Sequence, residues 1–170
     1  AIDPTLLYTV RIGELVRDNV KGGLFYAGSE LIKIQSAPDM TQCIYYSDEE
    51  QGCIIYPDRP AQCRAMKCWD ISAIANLYAQ DRLGREALFG HIDWLWDLIG
   101  THEEHCGYEK IRDLAEKRAD GDHAASRELS DILAYDISLR DVVEEKGGIA
   151  RGMLDLVFGR PLQQTLPAQF

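Results

Sequence analysis

The amino-acid sequence predicts an α+β protein, in which a small β-containing, cysteine-rich metal module precedes a mainly helical lobe. Two observations carry this. Up to about residue 69 the apolar residues fall in short runs broken by turn formers, and four of the five cysteines lie there. From Asp70 onward the apolar residues recur at helical spacing, with recognisable caps and stops. A chain of 170 residues with 46% hydrophobic content suits a single domain with a real core. The expected organisation is a cysteine module over 1–69, a helical lobe over 70–158 and a C-terminal arm over 159–170.

Taken in order, β segments are expected at 7–12, 30–35, 42–47 and 52–56. Asp70 then offers an N-cap for a helix over 71–83, with Gly84 as its stop. A second helix is expected over 86–101, where Leu88, Ile92, Leu95 and Ile99 recur at i, i+4, i+7 and i+11. A short, highly charged helix follows over 108–118. A long one starts at Asp122 or Ala124 and ends before Gly147-Gly148, with Leu129, Ile132, Leu133, Ile137, Leu139, Val142 and Val143 forming a broad apolar face. A last helix is expected over 149–158. Pro161 and Pro167 mark 160–170 as an extended arm. Trp69, Trp94 and Trp96, with Tyr45, Tyr46, Tyr56 and Tyr78, are expected to fill the core and shield the cysteine module.

The chemistry of the chain concentrates in one stretch, Cys43-x9-Cys53-x9-Cys63-x4-Cys68. Thiolate sulfur selects zinc, copper(I) or iron–sulfur clusters over hard cations, and four thiolates make a complete tetrahedral set. Four cysteines among turn residues and charges are poor packing material. Five cysteines is an odd number, and a chain with ample core material has little need of disulfides. Arg59, Arg64 and Lys67 lie in the same segment of an otherwise acidic chain, where cations hold thiolates ionised. The metal ligands read from this pattern are Cys43, Cys53, Cys63 and Cys68, with Arg59 and Arg64 as supporting groups beside the centre.

The spacing matches neither the C-x2-C knuckles of zinc ribbons nor a ferredoxin run, so the metal is open between zinc and iron, including an iron–sulfur cluster. Strand geometry adds a constraint. In a regular hairpin with Ser47 opposite Cys53, Cys43 and Cys53 would stand about 13 Å apart at roughly 3.3 Å per residue. Sulfurs sharing one zinc must approach within roughly 4 Å. Either the segment bends away from a regular hairpin, or Cys43 and Cys53 serve different centres.

The core of this stretch carries a family resemblance. Cys53-Ile54-Ile55-Tyr56, Arg59-Pro60, Cys63-Arg64 and Lys67-Cys68-Trp69-Asp70 resemble the C-x-I-Y-x-x-R-P-x-x-C-R-x-x-K-C-W-D pattern of the YkgJ-type cysteine-cluster family. Leu7-Tyr8-Thr9-Val10-Arg11, the run from Gly13 to Val20, Glu30-Leu31-Ile32-Lys33-Ile34 and Phe158-Gly159-Arg160-Pro161-Leu162 are similar to stretches of its longer members. The resemblance implies a zinc- or iron-chelating protein. Family members open with a C-x-x-C-G-x-C-C cluster, and no cysteine precedes Cys43 here; either this lineage has lost that half of the site, or the sequence starts downstream of it and the four cysteines are the downstream part of a larger constellation.

Outside the cysteine stretch, His102 and His105 stand at i, i+3 on a helix end. This is not the H-E-x-x-H pattern, and the neighbouring glutamates favour a solvated terminus. Cys106 reads as a buried thiol, with a role as an extra ligand the lesser alternative. No Gly-rich phosphate loop, Ser-His-Asp set or paired-carboxylate motif stands out, so no catalytic residue is assigned and enzyme activity is left open. A net charge of −10 argues against nucleic acid as a partner. No apolar run approaches a membrane span, and a cytoplasmic protein is expected. The site is thus read two ways. In one, a zinc or iron–sulfur centre organises a module that docks on a protein partner; in the other, an iron–sulfur centre carries electrons.

Overall fold

The protein is α+β, with short antiparallel strand pairs preceding a mainly helical C-terminal part. The computed structural model describes residues 2–18, 22–37, 42–67, 69–70, 72–78, 80 and 82–166. Among them, β1 (Leu7–Val10) pairs antiparallel with β4 (Leu31–Ile34), Leu7 opposite Ile34 and Val10 opposite Leu31. Between these, β2 (Leu15–Arg17) pairs with β3 (Leu24–Tyr26), Val16 opposite Phe25. This hairpin was not expected from the sequence, because three-residue strands are too short to show an alternation. Its return is eased by Gly22 and Gly23, at φ +78° and +85°. The third pair joins β5 (Tyr46–Ser47) to β6 (Gly52–Cys53), Tyr46 opposite Cys53.

The helices are α1 (Ala61–Ala65), α2 (Ser72–Tyr78), α3 (Arg85–Phe89), α4 (Asp93–Cys106), α5 (Tyr108–Ala119), α6 (His123–Gly147), α7 (Leu154–Phe158) and α8 (Leu162–Thr165). The expected 86–101 helix divides into α3 and α4. Gly90 closes α3 tightly, its N–H donating to Glu86 O at 2.8 Å, and Ile92 N–H then donates to Phe89 O in a turn. The Leu95 and Ile99 end of the stripe is buried as expected, and α4 runs on to Cys106. Asp122 caps α6 by accepting from the N–H groups of Ala124 and Ala125, and Gly148 at φ +68° ends it. The residues expected to form an extended arm instead make α8, with Leu162 and Thr165 buried. Residues 167–170, including Pro167, lie outside the described ones.

Two apolar clusters hold the lobe. One gathers Tyr108, Ile111 and Leu114 of α5 with Leu129 and Ile132 of α6 and Leu162 of α8. The other gathers Phe89, Leu95 and Ile99 with Leu156, Val157 and Phe158, and Leu7 and Ile32 of the β1–β4 pair pack against it. Thr9 Oγ1 ties β1 to α7 by donating to Leu156 O at 2.6 Å.

The face that α6 buries differs from the expected one. Ile137 and Val142 are exposed, and Asp136 and Arg140 occupy the inward stripe with Ala125, Leu129, Ile132 and Val143. The aromatics differ as well. Tyr45 is buried and Trp96 partly so, but Trp69, Trp94, Tyr46 and Tyr56 are exposed. The side chain of Tyr78 lies outside the described ones.

Candidate metal centre

The cysteine segment bends, as one of the two sequence alternatives requires. Tyr46 N–H donates to Cys43 O at 2.9 Å, closing a tight turn that carries Cys43 off the β5 line. Ile54 N–H donates to Tyr45 O at 2.9 Å and Asp58 N–H to Ile55 O at 2.9 Å, so the chain turns again just past Cys53. The register is also one residue from the hairpin that set the 13 Å separation, since Tyr46 rather than Ser47 faces Cys53. Cys63 comes in from α1, which Pro60 starts.

Cys43 and Cys53 come within electrostatic reach of Cys63, but the three sulfurs do not all lie within 4.8 Å of one another, as ligands of one metal would. Burial pushes the Cys63 thiol up, the nearby Cys43 and Cys53 push it further, and Arg59 pulls it back. Cys43 and Cys63 are exposed and Cys53 is half-buried, none of them in a disulfide. Cys68 lies outside the described residues. Arg59 is fixed over the Tyr56 ring, its guanidinium carbon 3.4 Å from the centroid, and its Nε donates to Tyr56 O at 2.9 Å. It is therefore the positive group held beside the thiols. Arg64 is exposed on the last turn of α1. Thiol donors suit a soft metal, which takes sulfur at about 2.3 Å.

A second group was only half legible in the sequence. His102 on α4 is fully buried, not solvated, and its Nε2 lies 2.8 Å from Asp136 Oδ1 on α6. His105 is exposed and stacks on Tyr135. Cys106 is fully buried, and its sulfur, a His102 nitrogen and an Asp136 oxygen lie within 4.8 Å of one another. Spacing alone would let them hold a metal, but the charges around them argue otherwise. Asp136 Oδ1 also accepts from Arg140 Nε at 3.0 Å, and Oδ2 accepts from Leu162 N–H at 3.0 Å. Burial pushes the Cys106 thiol up to about 12, with the Asp136 charge adding to it, so the sulfur stays protonated. Arg140 binds Gly159 O at 2.8 Å, and Arg11 donates to Cys106 O, so two guanidiniums already neutralise the pocket. A cation there would have to displace well-formed hydrogen bonds against like charge.

The group belongs instead to an ionic core. Arg11 and Arg85, both buried, converge on Glu103 Oε1 at 2.9 and 2.7 Å. Arg85 is also held by Glu30, with Nε donating to Oε1 at 2.9 Å and the backbone N–H to Oε2 at 3.0 Å, and its Nη1 donates to Val157 O at 3.0 Å. The fully buried Glu14 accepts from Arg11 N–H at 3.1 Å and pairs with Arg160. These bonds join the strand region to α3, α4 and the C-terminal segment. Burial holds His102 below its ordinary value despite the bond to Asp136. A neutral ring therefore donates from Nε2, and Nδ1 is buried without a hydrogen-bond partner among the described residues.

No family model, curated protein or solved structure matches the chain.

Proposed function

We propose that the chain is a metal-binding cysteine-cluster protein, in which Cys43, Cys53, Cys63 and Cys68 hold zinc or an iron–sulfur centre. What supports the reading is the four-cysteine pattern itself, together with the electrostatic influence of Cys43 and Cys53 on the Cys63 thiol, although the three sulfurs do not all lie within 4.8 Å of one another. Cys68 enters the ligand set on its place in the sequence pattern, which resembles the YkgJ-type family. Arg59, locked on Tyr56, is the supporting group of choice, since its charge opposes the upward push on the Cys63 thiol. Arg64, on the following helix, adds positive charge to the same segment.

The centre organises a surface for a protein partner. Tyr46, Ile54, Tyr56, Met66 and Trp69 lie on the same segment as the cysteines and are 41–84% exposed. Exposed aromatic and large apolar side chains grouped in this way characterise contact surfaces rather than a free protein surface. Among the described residues no helix is long and apolar enough to cross a membrane.

Anaerobic purification followed by metal analysis and a visible spectrum tests the reading. Stoichiometric zinc in a colourless protein supports the structural form, and brown charge-transfer absorption supports the iron–sulfur form. Cys43→Ser and Cys63→Ser should each release metal and loosen the hairpin. Unchanged metal content in both variants would reject the ligand assignment.

A further inference from the structure

We infer that the protein binds a small amphiphilic anion, a carboxylate on a compact apolar body, in the groove between its strand pairs and the helices that follow the cysteine hairpin. The inference is independent of the metal reading, since it rests on other side chains. One wall of the groove is made by Val10 of β1, Val16 of β2 and Leu31 of β4, and the other by Ile74 and Leu77 of α2. The cavity has a volume of about 150 Å³, and a second one of about 150 Å³ adjoins it, sharing Val10, Val16, Phe25, Leu31 and Arg82. A cavity of about that size accommodates a benzene-sized group.

Charge decides what else the ligand carries. The described lining residues include Arg17, Lys33 and Arg82 and no carboxylate, on a chain whose net charge is −10. Among the described residues, neither Arg17 nor Lys33 has an ion-pair partner. Apolar walls with a few convergent polar groups at the mouth are the usual form of a small-molecule site. Low-dielectric walls strengthen the pull of two uncompensated cations on an anionic head. A neutral apolar ligand would leave those cations unused, and inorganic phosphate would leave the walls wet. Only a molecule with both halves satisfies the groove.

The location adds meaning. Gln62 and Met66 also line the groove, one turn apart on the same face of α1, which carries Cys63. A bound ligand would therefore lie against the element that carries one of the clustered thiols. Phe25 of β3, 36% exposed, lines both cavities.

The test titrates the full chain with 3-phenylpropionate, 3-phenylpropan-1-ol and inorganic phosphate, followed by calorimetry and amide chemical shifts. Metal content is measured in every sample. The acid should bind at least about tenfold tighter than the alcohol or phosphate, and shifts should centre on Val10, Val16, Leu31 and Leu77. Lys33→Met and Arg17→Gln should each weaken the acid about fivefold without weakening the alcohol, the size expected of one partly exposed charge. Phe25→Asp, which places a carboxylate in the lining, should abolish acid binding while circular dichroism stays native. Equal binding of acid and alcohol, phosphate binding as tight as the acid, insensitivity to both cation variants, or no binding at millimolar concentration would each overturn the assignment. Acid binding by a full chain that carries no zinc or iron would refute the metal reading alone.

Discussion

Replacing Asp136 by Asn should be among the most damaging conservative substitutions in the lobe. Asp136 is 1% exposed and accepts from His102 Nε2, Arg140 Nε and Leu162 N–H. The amide removes the charge opposite Arg140, itself only 6% exposed, and turns a donor toward groups that are all donors. Breaking a buried ion pair from one side costs about 3–5 kcal/mol, a large fraction of a typical domain stability of about 5–15 kcal/mol. Urea unfolding at pH 7 measures it directly. Arg140→Met in the same background should recover part of the loss, because the buried guanidinium, left among the described residues with only Asp155 at 3.4 Å as a counter-charge, is then gone.

The acid limb provides a second reading of the same group. Burial pushes the Asp136 carboxyl up, but the bond from His102 and the Arg140 guanidinium outweigh it and bring it to about 2, below its ordinary 3.8. A depressed carboxyl contributes stability that is complete above the ordinary value and lost as pH falls through about 2. That contribution is about 2 kcal/mol, vanishing between roughly pH 4 and pH 2. His102, held low by burial, adds a milder loss that begins as pH falls below its ordinary 6.5, because the unfolded chain takes up that proton first. Asp136→Asn should flatten the slope below pH 4. A cost under about 1 kcal/mol at pH 7, or an unchanged acid slope, would refute the account of the ionic core.

Two further outcomes follow from close packing and burial. Gly159 sits at φ +76°, and a Cβ there would lie 2.5 Å from Arg11 Cδ and 3.1 Å from Thr9 O, so Gly159→Ala should destabilise the fold by about 2–4 kcal/mol in the same urea assay; a cost below about 1 kcal/mol would show that Arg11 can move aside. Cys106, fully buried with its thiol near 12, should resist Ellman's reagent in the native metal-free protein while Cys43, Cys53 and Cys63 react; prompt labelling of Cys106 would contradict its placement.

What the sequence made legible depended on how local the signal was. The cap at Asp122 and the run of α5 are set by adjacent residues and stand where the pattern puts them, while α6 runs on through Gly147 before Gly148 stops it. The division of the 86–101 segment hinges on a single tight turn at Gly90, which an apolar stripe continuing across it conceals. The β2–β3 hairpin is held by partners as much as by its own residues, with Gly13 N–H bonded to Ala27 O and Ala27 N–H to Glu14 O. Asp136 and Arg140 are hidden from a pattern built on apolar residues. Yet their spacing from Leu129, Ile132 and Val143 puts both on the inward stripe, and charged residues at core positions were the available clue. His102 was assigned to solvent because of its glutamate neighbour Glu103, whose carboxylate is bound by the buried Arg11 and Arg85. Such long-range pairing has no local signature. The cysteine stretch was legible in its chemistry, and the turns at Cys43 and after Cys53 were the part that spacing alone left open.

X-ray absorption at the metal edge of the anaerobically purified protein tests the central claim most directly. The account predicts a bound zinc or iron whose first shell is sulfur, at about 2.3 Å for zinc. A shell of nitrogen and oxygen with a single sulfur, as His102, Cys106 and Asp136 would supply, would contradict it. So would a folded protein that takes up neither metal.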